Sequence, residues 1–191
     1  MDENSLSTNG AHTQKKQNGF LRFLIEIVII VAIVFGLSVV MRAFVFSGYE
    51  IPSGSMENTI MTGDMIFSEK VSYYTRQPKA GDIITFIDPA DSERTLIKRV
   101  IATSGQTVNL QGGKLYIDGV EQDESYTGGK PSEPLQSSVT YPYTVPDGCV
   151  WVMGDNRTNS QDSRYFGAVS VSSITGRAGM IYWPFDRMQF L

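Results

Sequence analysis

One histidine and one cysteine are all that the 191 residues contain, and these two scarcities remove whole classes of chemistry. A serine here has no histidine within reach, because His12 lies ahead of a long apolar run. The Ser-His-Asp route to an activated hydroxyl is therefore excluded. The zinc ligand sets of hydrolases cannot be assembled from one His and one Cys, so no metal site and no cofactor are expected. Cys149 alone cannot form an internal disulfide and is read as a small buried residue. Basic residues are also scarce. Sixteen Lys and Arg stand against 20 Asp and Glu, a net charge of -4, which provides no basic stripe for phosphates and argues against a nucleic-acid partner.

What the chain does have, first, is an apolar segment. Residues 1–19 are polar, rich in Asn, Ser, Thr and Gln, and read as a disordered tail that gives way to the apolar run by residue 22. From Phe23 to Met41 the only polar interruptions are Glu26 and Ser38. About 19 helical residues span roughly 28 Å, close to the hydrocarbon thickness of a bilayer. Lys15, Lys16 and Arg22 precede this run and only Arg42 follows it closely, which by the positive-inside rule puts the tail in the cytoplasm and residues 42–191 outside. A cleaved signal peptide is the competing reading. Its apolar region is shorter, and Val39-Val40-Met41-Arg42 lacks the small residues of a cleavage site, so an uncleaved anchor is expected.

Beyond the anchor, short β-branched runs bounded by Gly, Pro and Asp replace helical periodicity. Asp64 to Phe67, Asp82 to Ile87, Thr95 to Ile101 and Val150 to Met153 predict strands. Gln111-Gly112-Gly113-Lys114 predicts a hairpin between Thr107–Leu110 and Leu115–Ile117, and Asp118-Gly119 a second turn. Residues 123–146 carry four prolines and few aliphatics and read as a long surface loop. The soluble part, residues 42–191, is large enough for one core and is expected to be mostly β.

Ser53-Gly54-Ser55-Met56 offers a nucleophile that lacks a histidine. A lysine could serve as its base only when neutral, and an ordinary lysine is neutral about once in a few thousand molecules at pH 7. Burial among apolar side chains lowers that pKa. Lys98 alone is embedded in an aliphatic run, Leu96-Ile97-Lys98-Arg99-Val100-Ile101. A lysine guarding an edge strand fits the same pattern, and spacing does not decide between the two. Alternation sends Arg99 to the face opposite Lys98, where it needs its own partner. Residues 154–164, Gly-Asp-Asn-Arg-Thr-Asn-Ser-Gln-Asp-Ser-Arg, hold no aliphatic side chain, and lie between an apolar strand and Tyr165-Phe166-Gly167. They suit either an exposed turn or a loop that orients a site.

Pro-Ser-Gly-Ser-Met at 52–56, Gly-Asp-Ile-Ile-Thr-Phe at 81–86, Lys-Arg-Val-Ile at 98–101, the 154–164 block and Gly-Arg-Ala-Gly-Met-Ile-Tyr-Trp-Pro-Phe at 176–185 together resemble the bacterial type I signal peptidases. The resemblance runs from the anchor to the C-terminus, apart from 107–146, where such enzymes vary. It implies a coiled antiparallel β-sheet catalytic domain behind one transmembrane helix, in a single-pass protein of the bacterial cell membrane. It also implies an endopeptidase that cuts signal peptides from exported preproteins after Ala-x-Ala, by a Ser-Lys dyad. The implied partners are signal peptides and the lipid bilayer. Carried over, Ser55 is the nucleophile, Lys98 the base and Ser53 an oxyanion donor beside the Ser55 amide. Ser160 orients the lysine, while Asp155 with Arg99 and Asp162 with Arg164 give structural support. Tyr49, Ile51, Pro52, Leu96 and Ile97 match the substrate pockets.

Departures from the pattern are Ala102 to Gln106 after the base strand, Asn58 for a common proline and Thr158 for a common aspartate. The separation of Ser53 and Ser55 by one residue would put both hydroxyls on one side of an extended backbone. A penicillin-binding-type acyl enzyme would need lysine three residues after the serine, where this chain has Asn58. The alternative from another class is a catalytically silent, membrane-anchored β-domain that binds polypeptides or assists surface-fibre assembly.

Overall fold

The structure, a computed structural model, describes residues 11–191, with backbone alone at 11–18 and 42–44. The expected disordered tail falls outside the described residues over 1–10, as does the His12 side chain. From Ala11 the backbone is helical: α1 spans Ala11–Phe44, so the tail gives way to helix well before residue 22. Extending a formed helix by further residues needs no new nucleus, which lets it continue into polar sequence. Within it, Gly19–Met41 has a mean hydropathy of 3.0 and is long and apolar enough to cross a membrane.

Residues 44–191 form a separate compact unit of antiparallel strands, as the β-rich patterning predicts. In chain order these are β1 (Phe46–Glu50), β2 (Met65–Glu69), β3 (Ile83–Asp88), β4 (Asp91–Thr103), β5 (Thr107–Gln111), β6 (Lys114–Ile117), β7 (Val120–Glu121), β8 (Tyr143–Thr144), β9 (Cys149–Met153), β10 (Val169–Ser170), β11 (Ile174–Trp183) and β12 (Gln189–Phe190). The larger sheet runs β1-β2-β11-β3-β4-β9-β10, with β12 also on β11; the smaller runs β7-β6-β5-β8. β3 sits inside the larger sheet and is buried along nearly its whole length, which accounts for its unbroken Ile-Ile-Thr-Phe-Ile in place of an alternating pattern.

The smaller sheet is built by its turns. Gly112 and Gly113 both have positive φ, 59° and 77°, joining β5 to β6 with Gln111 opposite Lys114. Asp118 and Gly119 repeat this at 52° and 82° between β6 and β7. Paired positive φ values are what a tight two-residue hairpin turn requires. Val108, Leu110, Leu115 and Ile117 from this hairpin pack with Trp151 and Met153 of β9, fastening the smaller sheet to the larger one. Cys149 is half-buried at the margin of that cluster.

The 123–146 segment differs from a surface loop. Thr127, Ser132 and Val145 are buried, and Tyr143–Thr144 pairs with β5. Its prolines suppress strand formation, but its polar side chains turn inward to meet charged groups. After β4, where the resemblance breaks, the turn is made locally. Gly105 takes φ 81° and the Gln106 Oε1 accepts from the Thr103 N–H at 2.9 Å.

Candidate active site

Ser53 is extended (φ -142°, ψ 154°) and Gly54–Met56 then close a single 3-10 turn. The backbone is therefore not extended through both serines, and simple alternation does not govern their hydroxyls. Ser53 is exposed, whereas Ser55 is 7% exposed. Behind Ser55 the turn is pinned by Met56, which is fully buried with Ile51, Ile60, Ile66, Ile83, Ala178 and Ile181. Tyr49 and Ile97 pack on the same cluster. Leu96 joins a different cluster, with Ile84, Phe86 and Val100, and Pro52 is exposed. Of the five expected pocket residues, three are thus gathered around the turn that carries Ser55. Asn58 follows with φ 89°, a left-handed conformation that asparagine tolerates and that the ring of a proline forbids.

Lys98 lies on β4 opposite Ile84 of β3 and is 3% exposed. Its Nζ donates to Ser55 Oγ at 2.7 Å and to the Ile97 carbonyl at 2.9 Å. Burial pulls its pKa down from 10.5 to about 8; Asp162 opposes this, Arg94 adds to it, and Asp88 and Asp155 oppose it more weakly. A strand-edge lysine facing solvent would have neither the partner nor the depressed pKa. Ser160 Oγ is buried without a hydrogen-bond partner among the described residues, so no bond to Lys98 is formed. It lies against Gly154, where an added Cβ would collide with both the Ser160 hydroxyl and the Ser55 carbonyl.

Arg99, the next residue along β4, meets Asp155 through two parallel bonds, Nε to Oδ1 at 2.8 Å and Nη2 to Oδ2 at 2.7 Å. The Asp155 Oδ2 also accepts from Thr59 Oγ1 at 2.5 Å. Asp162 receives Arg164 in the same bidentate way, at 2.9 and 3.0 Å, and accepts from the Gly154 N–H at 3.0 Å. The 154–164 block is thus an interior scaffold: Asp155, Asn156, Arg157, Asp162 and Arg164 are all buried. Bidentate, charge-assisted pairs with their remaining lone pairs occupied are the arrangement in which buried charge is tolerated.

Several contributors escaped the sequence reading. Arg157, fully buried, donates to Gly154 O at 3.0 Å and binds Glu124 and Ser132 of the 123–146 segment. The Tyr126 ring lies beneath Arg99 at 4.3 Å and Arg157 at 5.7 Å. Asn156 bonds both to the serine turn and to Lys130. The only available signal was that 154–164 carries two arginines and two aspartates, and Arg157 has no acidic neighbour of its own. Among the described residues no three His, Cys, Asp or Glu side chains come together as a metal set.

A family model described as signal peptidase, peptidase S26, matches residues 22–183. A probable signal peptidase I-1 from a Synechocystis strain is 38% identical over 173 residues, covering 87% of this chain and 86% of its own. The signal peptidase I T of Bacillus subtilis is 35% identical over 190 residues, 96% of both chains. A crystal structure of a signal peptidase I from Enterococcus faecalis V583 is 34% identical, covers 53% of this chain and 97% of its own, and has a TM-score of 0.47. Both sequence relatives are named as signal peptidases, not as polypeptide-binding or fibre-assembly factors. The chain belongs to the signal peptidase family, peptidase S26, and is a serine endopeptidase.

Proposed function

We propose that this chain removes signal peptides from exported preproteins with Ser55 as nucleophile and Lys98 as general base. The observation that carries the reading is the 2.7 Å contact between Lys98 Nζ and Ser55 Oγ, both on buried residues. With a pKa near 8, about one Lys98 in ten is neutral at pH 7, a few hundred times the fraction for an ordinary lysine. In the neutral form the Nζ lone pair faces the hydroxyl, and the contact reverses, with Oγ–H donating.

Lys98 takes that proton as Oγ bonds to the scissile carbonyl carbon. The ammonium then protonates the departing amine as the C–N bond breaks, leaving the acyl group on Ser55. A water deprotonated by Lys98 attacks the ester, and the proton returns to Oγ. The oxyanion rests on the Ser55 amide and the Ser53 hydroxyl, each such donor contributing about 10²–10³ in rate. Ser160, buried and unbonded beside the Ser55 carbonyl, is placed to take up a hydrogen bond when Lys98 shifts. Asp155 with Arg99 and Asp162 with Arg164 hold the walls. Tyr49, Ile51 and Ile97, packed around the turn that carries Ser55, would form a shallow apolar lining for the small side chains of Ala-x-Ala before the cut, with Pro52 and Leu96 contributing at the margins. Gly19–Met41 anchors the protein with its N-terminus in the cytoplasm and residues 44–191 outside.

The test uses the full chain in detergent micelles and a peptide carrying Ala-x-Ala. Because kcat/KM reports groups of the free enzyme, it is expected to climb about tenfold per pH unit below pH 8 and level off above. Ser55→Ala and Lys98→Ala are expected to be inactive. A flat profile from pH 5 to 10, or cleavage by either variant, refutes the dyad.

A further inference from the structure

The peptide unit between Gly54 and Ser55 carries two groups at once: the Gly54 carbonyl and the Ser55 N–H. Because that unit is planar and trans, the two point in opposite directions, and whatever fixes the carbonyl fixes the amide. The Gly54 carbonyl is held from two sides, by the Glu57 N–H at 3.2 Å and by Asn156 Nδ2 at 2.8 Å. Asn156 grips the turn twice more. Its backbone N–H donates to the Ser55 carbonyl at 3.1 Å, and Nδ2 also donates to Glu57 Oε2 at 3.1 Å. It is 3% exposed, so these bonds have little competition from water.

An asparagine amide has a donor end and an acceptor end, and something must decide which faces the turn. Here the acceptor end, Oδ1, receives Lys130 Nζ at 2.8 Å. Turning the amide over would set Oδ1 against the Gly54 carbonyl and the Glu57 carboxylate, and the NH₂ against an ammonium. Lys130 comes from the segment between β7 and β8 of the smaller sheet. That segment is itself anchored by Glu124 and Ser132 on Arg157, and Gly128 (φ 64°) lies so close to Asn58 that an added Cβ would fall 2.9 Å from Asn58 Nδ2. Residues 124–132 therefore reach the serine turn through Lys130 on Asn156, and lie against Asn58 just beyond it.

We infer that Asn156 aims the Ser55 amide by holding the Gly54 carbonyl, and that Lys130 orients Asn156 for this task, making residues 124–132 a positioning element for the oxyanion donor. This rests on the role of Ser55 proposed above. Neither residue touches substrate; both act through the backbone of the turn. The developing negative charge on the carbonyl oxygen is felt only in the tetrahedral intermediate, so misaiming the amide should lower kcat and leave KM nearly unchanged.

The experiment compares wild type, Asn156→Ala, Lys130→Met, Lys130→Arg, Ser55→Ala and Lys98→Ala as full chains in detergent, with kcat and KM on the Ala-x-Ala peptide. It also measures affinity for a peptide aldehyde, which forms a tetrahedral adduct, and for the matching alcohol, which does not. Asn156→Ala is expected to lose about 10² in kcat, the value of one oxyanion donor. Lys130→Met, on a half-buried side chain whose removal does not threaten folding, should lose about tenfold, with Lys130→Arg recovering most of it. Aldehyde affinity should fall in parallel while alcohol affinity holds, and the pH midpoint set by Lys98 should not move. Equal loss of aldehyde and alcohol affinity, a rise in KM alone, or Lys130→Met at full kcat would overturn the inference while Ser55→Ala and Lys98→Ala remain dead. Cleavage by either of those two would instead remove the dyad itself.

Discussion

Replacing Lys98 with methionine should abolish cleavage and yet stabilise the folded protein at acid and neutral pH. The side chains are similar in length, so the cavity is conserved and the change is chiefly one of charge. Burial lowers the Lys98 pKa from 10.5 to about 8, and each tenfold loss of proton affinity corresponds to about 1.4 kcal/mol, so holding the protonated lysine in place costs about 3 kcal/mol. Between pH 8 and 10.5 the unfolded chain binds more protons at this site than the folded one. Wild-type stability therefore rises with pH across that window, and below its lower end the full cost is present. Methionine removes the cost, but it forfeits the bonds to Ser55 Oγ and Ile97 O, worth about 1 kcal/mol each when neutral. The variant should be about 1–3 kcal/mol more stable at about pH 6, and should lose that advantage, or fall behind, by about pH 10.5. Urea unfolding of both full chains in the same detergent, followed by the fluorescence of the fully buried Trp151, measures the difference. Tyr73 and Tyr141, whose pKa values burial raises, titrate alike in both proteins and cancel. A variant less stable at the acid end, or a difference that stays constant as the pH is raised through the Lys98 titration, would refute the reasoning.

Asp155→Asn should cost about 3–5 kcal/mol, because Arg99 keeps its charge while its bidentate partner is gone; a urea-measured loss under about 1 kcal/mol would contradict this. Glu124→Ala should be of comparable cost although it lies in the variable segment, since Arg157 has no exposed side-chain surface through which to recover water. Gly154→Ala should cut kcat about tenfold or more and destabilise by about 1–3 kcal/mol, the usual cost of overpacking, because its Cβ meets the Ser55 carbonyl and Ser160. An unchanged kcat would show that the turn can retreat.

Half of the strands (β2 to β6 and β9), both tight turns and the apolar helix were legible because each rests on a local rule: a β-branched run bounded by turn residues, a Gly-Gly or Asp-Gly pair, or an unbroken apolar run; β1 and the long β11 were not read. Lys98 could be singled out from its aliphatic flanks, and the need of Arg99 for a separate partner followed from alternation along β4. What the pattern did not reveal was the inward role of residues 124–132. Glu124, Lys130 and Ser132 are polar residues among glycines and prolines, the usual mark of exposed chain. The inward placement of half-buried Glu124 and buried Ser132 depends on Arg157, 33 and 25 positions away. The geometry of the serine turn was misread for a similar reason. Spacing suggested extended chain, whereas the buried Met56 and the hold of Asn156 on Gly54 close a helical turn. In both cases a long-range polar contact overrides what neighbours in sequence imply.

The place of β11 in the larger sheet has a consequence for how the protein is made. Its ten residues, Ile174–Trp183, lie between β2 and β3, bonded on one edge to Ile66 and Phe67 and on the other to Ile84 and Thr85. Those two strands belong to the first half of the chain and do not pair with each other. During synthesis each must wait, with one edge open, until residues 174–183 have emerged. Pairing between such distant segments is slow to form and leaves unsatisfied strands exposed meanwhile. A polypeptide cut short before residue 174 would lack the seam that joins the serine turn's half of the sheet to the lysine's. The two halves of the site are thus joined only in a chain that extends through β11.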